Sequence, residues 1–221
     1  MPRRSEVSAE ALAQDREAAL RLVPLSEDDQ RRLTIYQDLL LRWQGMLNLV
    51  SAASLPQLWT RHIADSAQLR ELAADALRWA DLGSGGGFPG LVIAILLADQ
   101  PGARVDLIER DKRKAAFLQT VSRETGAPAV VHSASVEQTL PTLKGVNVVT
   151  SRATAALDQL LRWSLPALQR GGTGLFLKGR SAEAEIEAIS DPAQFDLSTL
   201  PSRTDPSGRI VSVRYKGEAI R

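Results

Sequence analysis

Residues 81–90 read Asp-Leu-Gly-Ser-Gly-Gly-Gly-Phe-Pro-Gly and contain five of the fifteen glycines in the chain. The apolar residues Trp79 and Ala80 come before this stretch, and the apolar run 91–97 follows it. This order predicts a β-strand, a tight turn and the start of a helix. Because glycine carries no side chain, a ligand can approach the backbone N–H groups of such a turn. We therefore expect a nucleotide-like cofactor at this turn, which we call the glycine loop (residues 83–90).

Alternating strands and helices follow the glycine loop to the end of the chain. Such alternation produces right-handed βαβ units, so we predict an α/β fold with a mostly parallel sheet covered on both faces. The predicted strands cover residues 77–82, 104–109, 129–132, 145–150, 173–178, about 194–198, and 209–215. The predicted helices between them cover residues 89–99, 111–125, 154–169 and 181–190.

The sequence before the first strand divides into two parts. Residues 1–24 are charged and rich in alanine, which predicts a flexible or loosely docked segment that Pro24 ends. Residues 25–75 predict a helical extension, with a helix that begins at Ser26 and a second helix from residue 55 or 56 to about residue 74. Residues 76–221 then form the main domain, in one compact unit with these helices.

Composition excludes several classes of site. The chain has no cysteine and two histidines, so we expect no disulfide, no cysteine nucleophile and no metal site. No apolar run approaches the roughly 20 residues that span a bilayer, and no secretory signal is visible, so we expect a cytoplasmic protein without a membrane contact. The net charge of +1 does not by itself indicate a nucleic-acid partner.

The glycine loop fits two cofactors in two registers. Gly85, Gly87 and Gly90 satisfy the dinucleotide pattern G-x-G-x-x-G, and Glu109 follows at a distance suited to a ribose. A register that starts at Asp81 reads D-x-G-x-G-x-G, which is typical of S-adenosylmethionine-dependent methyltransferases. We favour the second register because Asp81 can meet the cationic groups of that cofactor. A glycine turn without a ligand is the third alternative.

Seven motifs follow one another along the chain: LNLVS (47–51), RHIADS (61–66), DLGSGGGFPG (81–90), ERDKRKAAFLQ (109–119), SVE (135–137), TSRA (150–153) and LKG (177–179). Together, in this order, they resemble one family. The chain is similar to the RsmG (GidB) family of bacterial 16S ribosomal RNA methyltransferases from about residue 25 to residue 215. The resemblance implies a Rossmann-like class I S-adenosylmethionine-dependent methyltransferase sheet that transfers a methyl group to N7 of a guanosine in the 530 loop.

The resemblance also implies roles for individual residues. Glu109 matches the acid that binds the cofactor ribose, and Arg152 matches the arginine at the cofactor and substrate end of the fourth strand. Position alone also places Arg152 where open α/β sheets bind ligands, although a surface salt bridge is the alternative. The residues expected to bind the cofactor are Asp81, Gly83, Gly85, Phe88, Glu109, Val136, Glu137 and Arg152, and Arg152 is also the expected catalytic residue.

Four cations occupy the five positions after Glu109. Cations at the start of a helix oppose its dipole, so this cluster favours phosphate binding over a solvated helix start. With the resemblance, the expected partner is 16S rRNA, in the 30S subunit or in an assembly intermediate, bound by a monomer. The residues expected to contact RNA are Arg61, His62, Arg110, Lys112, Arg113, Lys114 and Lys178.

The expected reaction requires little acid–base chemistry. Guanine N7 carries an exposed lone pair and can attack a sulfonium methyl directly, so alignment matters more than a general base. Three other functions stay open at this point. They are a methyltransferase for another RNA or a small molecule, an NAD-dependent oxidoreductase, and an RNA-binding module without a cofactor.

Overall fold

The computed structural model describes residues 7–218, and residues 1–6 and 219–221 lie outside that range. Helix α1 (Ala9–Leu22) begins after Ser8, whose hydroxyl accepts a hydrogen bond from the backbone N–H of Ala11. Helix α2 (Glu27–Leu47) begins after Ser26 in the same way, with an acidic first turn that suits the helix dipole. The proposed division at residues 24 and 75 stays a prediction.

The segment after α2 is not the single helix that its sequence predicts. It consists of a 3₁₀ helix (Ala52–Gln57), a π-helix (Trp59–Ala64) and two short helices, α3 (Asp65–Ala67) and α4 (Leu69–Leu72). Pro56 lies inside the 3₁₀ turn, where it has no N–H to donate to a regular α-helix. Wider π turns are rare and frequently mark functional sites, and we call this one the π segment (Trp59–Ala64).

Helix α1 contacts the beginning of the π segment through one carboxylate. Asp15 Oδ2 accepts hydrogen bonds from the backbone N–H of Trp59 at 2.7 Å and of Thr60 at 3.3 Å, and Asp15 Oδ1 accepts one from the Thr60 hydroxyl at 2.5 Å. The guanidinium of Arg16 lies over the Trp59 ring, 4.9 Å from its centroid. Residues 9–22 are therefore held against the π segment by polar contacts as well as by buried Leu12 and Ala19.

Within residues 7–218, seven strands form one sheet in the order β3-β2-β1-β4-β5-β7-β6. Strands β1 to β5 are parallel, and β7 is antiparallel to both β5 and β6. The order reverses between β1 and β4, which is the point where open α/β sheets bind ligands at the carboxyl ends of their strands. The strands are β1 (Arg78–Leu82), β2 (Arg104–Ile108), β3 (Ala129–His132), β4 (Val148–Arg152), β5 (Thr173–Lys178), β6 (Phe195–Pro201) and β7 (Arg209–Tyr215).

Helices cover both faces of the sheet and bury two apolar clusters. The larger cluster joins α1 and α2 to the sheet and includes Trp59 and Trp79, and the smaller one includes Leu160 and Phe176 on the other face. None of the helices in residues 7–218 is long and apolar enough to cross a membrane. The remaining helices are α5 (Gly90–Leu96), α6 (Lys112–Thr125), α7 (Val136–Thr139), α8 (Leu157–Leu168) and α9 (Ala182–Glu187).

Replacing Asp15 tests the contact between α1 and the π segment. Asp15→Ala leaves two part-buried backbone N–H groups and one hydroxyl without their acceptor, so we expect the free energy of unfolding to fall by about 2 kcal/mol. Urea denaturation measures the change. Asp38→Ala, on the exposed surface of α2, is the control and should change stability by less than about 0.5 kcal/mol. Equal effects of the two substitutions would contradict the role of Asp15.

Candidate active site

The glycine loop connects β1 to α5 in a conformation that depends on its glycines. Gly83 and Gly87 have φ angles of +68° and +102°, which side chains rarely tolerate. A Cβ atom on Gly83 would lie 2.3 Å from Cγ2 of Thr154, and one on Gly87 would lie 2.7 Å from the hydroxyl oxygen of Tyr36. That hydroxyl donates a hydrogen bond to the carbonyl of Gly86. The loop is thus packed between α2 and the residues after β4.

A cavity of about 550 Å³ lies at the carboxyl ends of β1, β2 and β4, next to the glycine loop. Glu109 follows β2 and is 8% exposed. Its carboxylate accepts hydrogen bonds from the backbone N–H groups of Gly85 and Asp111, both at 2.8 Å. The cavity is lined by Leu49, Gly83, Ser84, Gly85, Gly86, Phe88, Ile108, Glu109, Arg110, Lys114, Ala134, Ser135, Val136, Glu137, Arg152, Ala153, Thr154 and Trp163. We call it the cofactor cavity.

Apolar side chains form one side of the cofactor cavity. Val136 begins α7 after the N-cap residue Ser135, and Ile108 ends β2. The indole N–H of Trp163 donates a hydrogen bond to Glu137 Oε1 at 2.9 Å. Trp163 lies on α8 and also lines this cavity, and it is not among the residues that the sequence predicts for the site. No local motif distinguishes it, because its place depends on how α8 packs beside α7.

Asp81 lies behind the glycine loop and does not line the cofactor cavity. The carboxylate is fully buried, Oδ2 accepts a hydrogen bond from the N–H of Gly90 at 3.2 Å, and Oδ1 has no partner among residues 7–218. Burial raises the pKa of Asp81 to about 7. A Cβ on Gly90 would lie 2.4 Å from Asp81 Cβ, so glycine is required for this close approach. The contact that this structure gives Asp81 is with the loop backbone.

Arg152, the last residue of β4, has a guanidinium that is held from several sides. Nη1 donates to the carbonyl of Arg61 at 2.8 Å, and Nη2 hydrogen-bonds Nδ1 of His62. Asp65 Oδ2 lies 3.7 Å from Nη1, and the guanidinium sits over the Phe88 ring, 5.1 Å from its centroid. Burial lowers the pKa of Arg152 below its usual value. The π segment, α3 and the glycine loop therefore meet at this one side chain.

His62 is a neutral acceptor in the structure and supplies no positive charge to a basic rim. Its Nδ1 faces Arg152, and its Nε2 lies 2.8 Å from the hydroxyl oxygen of Ser54, which fits the tautomer that carries the proton on Nε2. Burial and the cations of Arg152 and Arg61 lower the pKa of His62 to about 3. His62 is buried and is therefore not part of an exposed basic surface, and its expected contact with RNA stays a prediction.

The expected basic surface also loses Lys178. Its side chain is 7% exposed, and Nζ donates to Glu185 Oε2 and to the carbonyl of Ala155, both at 2.7 Å. Arg110 and Lys114 line the cofactor cavity, while Arg113 donates to the carbonyl of Met46. The expected cations that remain exposed are Arg61, Arg110, Lys112 and Arg113, with Lys114 half-buried.

A second cavity of about 710 Å³ lies on the other side of Arg152. It shares Arg152, Ala153 and Thr154 with the cofactor cavity. Ala153 has a φ angle of +53°, which turns the chain sharply after β4. The π segment, β5 and the residues before β7 form the other walls, with Asp65, Lys178, Glu185 and Asp205 among the lining residues. We call it the acceptor-side cavity. Within residues 7–218, no group of three or more His, Asp or Glu side chains is placed to hold a metal ion.

Comparison with known proteins identifies the family to which the sequence of this chain is similar. Residues 29–205 match the model of the GidB family, described as rRNA small subunit methyltransferase G. A ribosomal RNA small subunit methyltransferase G of Bradyrhizobium sp. (strain BTAi1) is 47% identical over 208 residues, which cover 94% of each chain. The protein of the same description from Methylobacterium sp. (strain 4-46) is 46% identical over 200 residues, with 90% of this chain and 94% of the relative covered.

Solved structures with low sequence identity share the fold. The S-adenosylhomocysteine-bound methyltransferase PaMTH1 of Podospora anserina superimposes with a TM-score of 0.63 at 13% identity, over 98% of this chain and 100% of that chain. A putative O-methyltransferase from Klebsiella pneumoniae gives a TM-score of 0.58 at 15% identity, over 93% and 98% of the two chains.

The family model and the curated relatives make the chain a methyltransferase, and the sheet order and the glycine loop beside a cavity are those of the class I S-adenosylmethionine-dependent type. S-adenosylmethionine is thus the cofactor, and the dinucleotide register of the loop does not apply. The lining of the cavity also suits this cofactor. The loop glycines leave the backbone accessible, Glu109 provides a carboxylate, and Val136 provides an apolar surface. The chain belongs to the rRNA small subunit methyltransferase G (GidB) family.

Gly83→Ala tests the packing of the glycine loop. The new methyl group would collide with Thr154 and would also require a left-handed backbone, so we expect the affinity for S-adenosylhomocysteine to fall at least about tenfold. Isothermal titration calorimetry measures the affinity. Gly102→Ala is the control, because Gly102 has a φ angle of +79° and open space around it. It should lose stability without losing affinity, and equal affinities of the two variants would contradict the expectation.

Asp81→Asn tests the buried carboxyl by its effect on pH dependence. Native Asp81 holds its proton up to a pKa of about 7, whereas an unfolded aspartate titrates near 3.9, so Asp81 makes stability fall as pH rises between about 4 and 7. His62 acts in the opposite direction, because its native pKa of about 3 lies below the unfolded value of about 6.5. The free energy of unfolding of the Asn variant should therefore rise more steeply from pH 4 to 6.5 than that of the wild type. Urea denaturation at several pH values measures this free energy, and an equal dependence on pH in the two proteins would contradict the assignment.

Proposed function

We propose that this protein transfers a methyl group from S-adenosylmethionine to N7 of a guanosine in the 530 loop of 16S rRNA. The observation that carries the proposal is Arg152, which forms a shared wall between the cofactor cavity and the acceptor-side cavity. A residue in that position can contact a methyl acceptor while it borders the cofactor. The family membership of the chain supports rRNA as the class of acceptor.

Bound S-adenosylmethionine supplies a methyl group on a positively charged sulfur. In the proposal, Gly83 and Gly85 offer backbone groups to this cofactor, and Glu109 accepts hydrogen bonds from the ribose hydroxyls. Asp81 supports the loop from behind through the N–H of Gly90. The other residues proposed to bind the cofactor are Phe88, Val136, Glu137 and Arg152. We add Trp163 to them, because its indole N–H donates a hydrogen bond to Glu137.

The protein has to orient the acceptor rather than remove a proton from it. Guanine N7 has a free lone pair, so correct placement of the base against the cofactor supplies most of the required catalysis. Arg152 is held by contacts with Arg61, His62 and Phe88 within the protein. A preorganised guanidinium loses little entropy when it contacts a substrate, which favours Arg152 as the residue that places the base.

Exposed cations near the cofactor cavity are proposed to hold the RNA backbone. Arg110, Lys112, Arg113 and Lys114 follow Glu109 at the carboxyl edge of the sheet, and Arg61 lies beside the acceptor-side cavity. We propose that the protein acts as a monomer in the cytoplasm on the 30S subunit or on an assembly intermediate. A methyltransferase for another RNA or a small molecule is the alternative, which transfer assays with 16S rRNA and 30S particles distinguish.

Arg152→Ala should abolish most methyl transfer without unfolding the protein. Loss of one preorganised group that acts on the reacting base typically costs about a hundredfold or more in turnover. Arg152→Lys keeps the charge but not the planar fork, so we expect it to restore only a small part of the activity. Transfer of radiolabel from S-adenosylmethionine to 16S rRNA or 30S particles measures both. If the Ala variant turned over at the wild-type rate, Arg152 would have no catalytic role. If the wild type methylated neither 16S rRNA nor 30S particles, the proposed substrate would be wrong.

Replacing Lys112, Arg113 and Lys114 by Gln should weaken RNA binding and reduce its dependence on salt, because each lost phosphate contact removes about one released counterion. Binding of 16S rRNA at several salt concentrations measures the slope. A matched control replaces Lys144, Arg214 and Lys216, which are exposed and lie near the amino ends of the parallel strands, at the opposite edge of the sheet. Similar slopes for the two variants would contradict the proposed RNA surface.

A further inference from the structure

We propose that Asp65 recognises the Watson–Crick edge of the target guanine in the acceptor-side cavity, where its Oδ2 accepts hydrogen bonds from guanine N1–H and N2–H. This inference rests on the proposed function, because it names how the same site selects its base. Asp65 begins α3, directly after the π segment, and it lines the acceptor-side cavity beside Arg152.

The two oxygens of the Asp65 carboxylate have different surroundings. Oδ1 accepts hydrogen bonds from Gln68 Nε2 and the Thr204 hydroxyl, both at 2.8 Å, and from the Ser202 hydroxyl at 3.1 Å. Oδ2 accepts no hydrogen bond from residues 7–218, and its ionic neighbour is Arg152 Nη1 at 3.7 Å. The contacts on Oδ1 fix the carboxylate, which leaves the lone pairs of Oδ2 available to a ligand.

The other carboxylates of the acceptor-side cavity are less suited to this role. Glu185 Oε2 accepts from Lys178 and from the N–H of Leu157, and its Oε1 accepts from the Ser181 hydroxyl. Asp205 Oδ1 accepts from the N–H and the hydroxyl of Ser207 within its own turn. Asp65 is the lining carboxylate that lies beside Arg152, where the two cavities meet.

Arg152 and Asp65 together present a donor next to an acceptor. The guanidinium has five N–H groups, and the carbonyl of Arg61 and the ring of His62 each accept a hydrogen bond from one of its terminal nitrogens, which leaves further N–H groups for a ligand. Guanine carries the complementary pair, because its O6 acceptor adjoins its N1–H donor. Adenine presents a donor at N6 and an acceptor at N1. Its N6 donor would face the Arg152 donor, and its N1 acceptor would face the Asp65 acceptor, so neither hydrogen bond could form. The pair therefore favours guanine over adenine.

The same contact gains strength during methyl transfer. When N7 attacks the methyl carbon, the N7–C bond forms as the C–S bond breaks and its electron pair stays on sulfur, so the guanine becomes positively charged. The positive charge makes N1–H more acidic and strengthens its hydrogen bond to a carboxylate. An interaction that is stronger in the transition state than in the bound substrate accelerates the reaction. Asp65 thus contributes to turnover as well as to base selection.

The test compares wild type and Asp65→Asn on three RNAs. A synthetic 530-loop segment ligated into 16S rRNA carries guanosine, inosine or 1-methylguanosine at the target position. Inosine lacks the N2 amino group of guanosine, and 1-methylguanosine lacks its N1–H. For the wild type we expect kcat/KM to be at least about tenfold higher on guanosine than on inosine. In Asp65→Asn the rate on guanosine should fall and the ratio of the two rates should approach one. An unchanged ratio would overturn the role of Asp65.

Asp205→Asn is the matched control, because it removes one negative charge from the same cavity and should keep the preference for guanosine over inosine. Calorimetry with S-adenosylhomocysteine should give similar affinities for the Asp65 variant and the wild type. If Asp65→Asn does not fold, the wild type on 1-methylguanosine RNA still decides, since full activity without N1–H would overturn the inference. Absence of transfer from wild type to guanosine RNA would instead overturn the proposed function.

Discussion

The desolvated guanidinium of Arg152 is the constraint on which the arrangement of this site depends. A cation removed from water needs acceptors or an aromatic face around it. Here the carbonyl of Arg61, the neutral ring of His62 and the face of Phe88 provide them. These groups come from the π segment and the glycine loop, whereas Arg152 ends β4. One side chain therefore connects the π segment and the glycine loop to the end of β4, at the boundary between the two cavities.

The buried charges around Arg152 explain the ionisation states of its neighbours. His62 stays neutral because burial disfavours its charged form and because the cation of Arg152 would repel a second one, so its free Nδ1 lone pair becomes an acceptor. Asp65 keeps one oxygen close to the guanidinium, and three polar side chains stabilise the other oxygen. Asp81 lies deeper and has a backbone N–H as its partner. The site thus combines a fixed guanidinium with carboxylates in different surroundings: Asp65 has one oxygen without a hydrogen bond, whereas Asp81 is buried against the loop backbone.

The sequence predicts the sheet well and the surroundings of the site less well. Strands 129–132, 173–178 and 209–215 agree residue for residue with β3, β5 and β7, because alternating apolar runs between turn residues are local signals. Glu109 directly follows β2 and Arg152 is the last residue of β4, so both lie at the carboxyl edge of the sheet as expected. Burial of His62 and Lys178 depends on partners 90 and 7 residues away. The π segment likewise depends on a carboxylate from α1, and no pattern within the segment reveals it.

Helix α1 lies before residue 29, where the match to the family begins. Its Asp15 nevertheless binds the two residues that directly precede Arg61 and His62, the partners of Arg152. Helix α1, which the family model does not cover, is therefore connected through Trp59 and Thr60 to the two residues that bind Arg152 between the cavities. By the same path, removing the first two dozen residues would alter the chemistry as well as the stability of the enzyme.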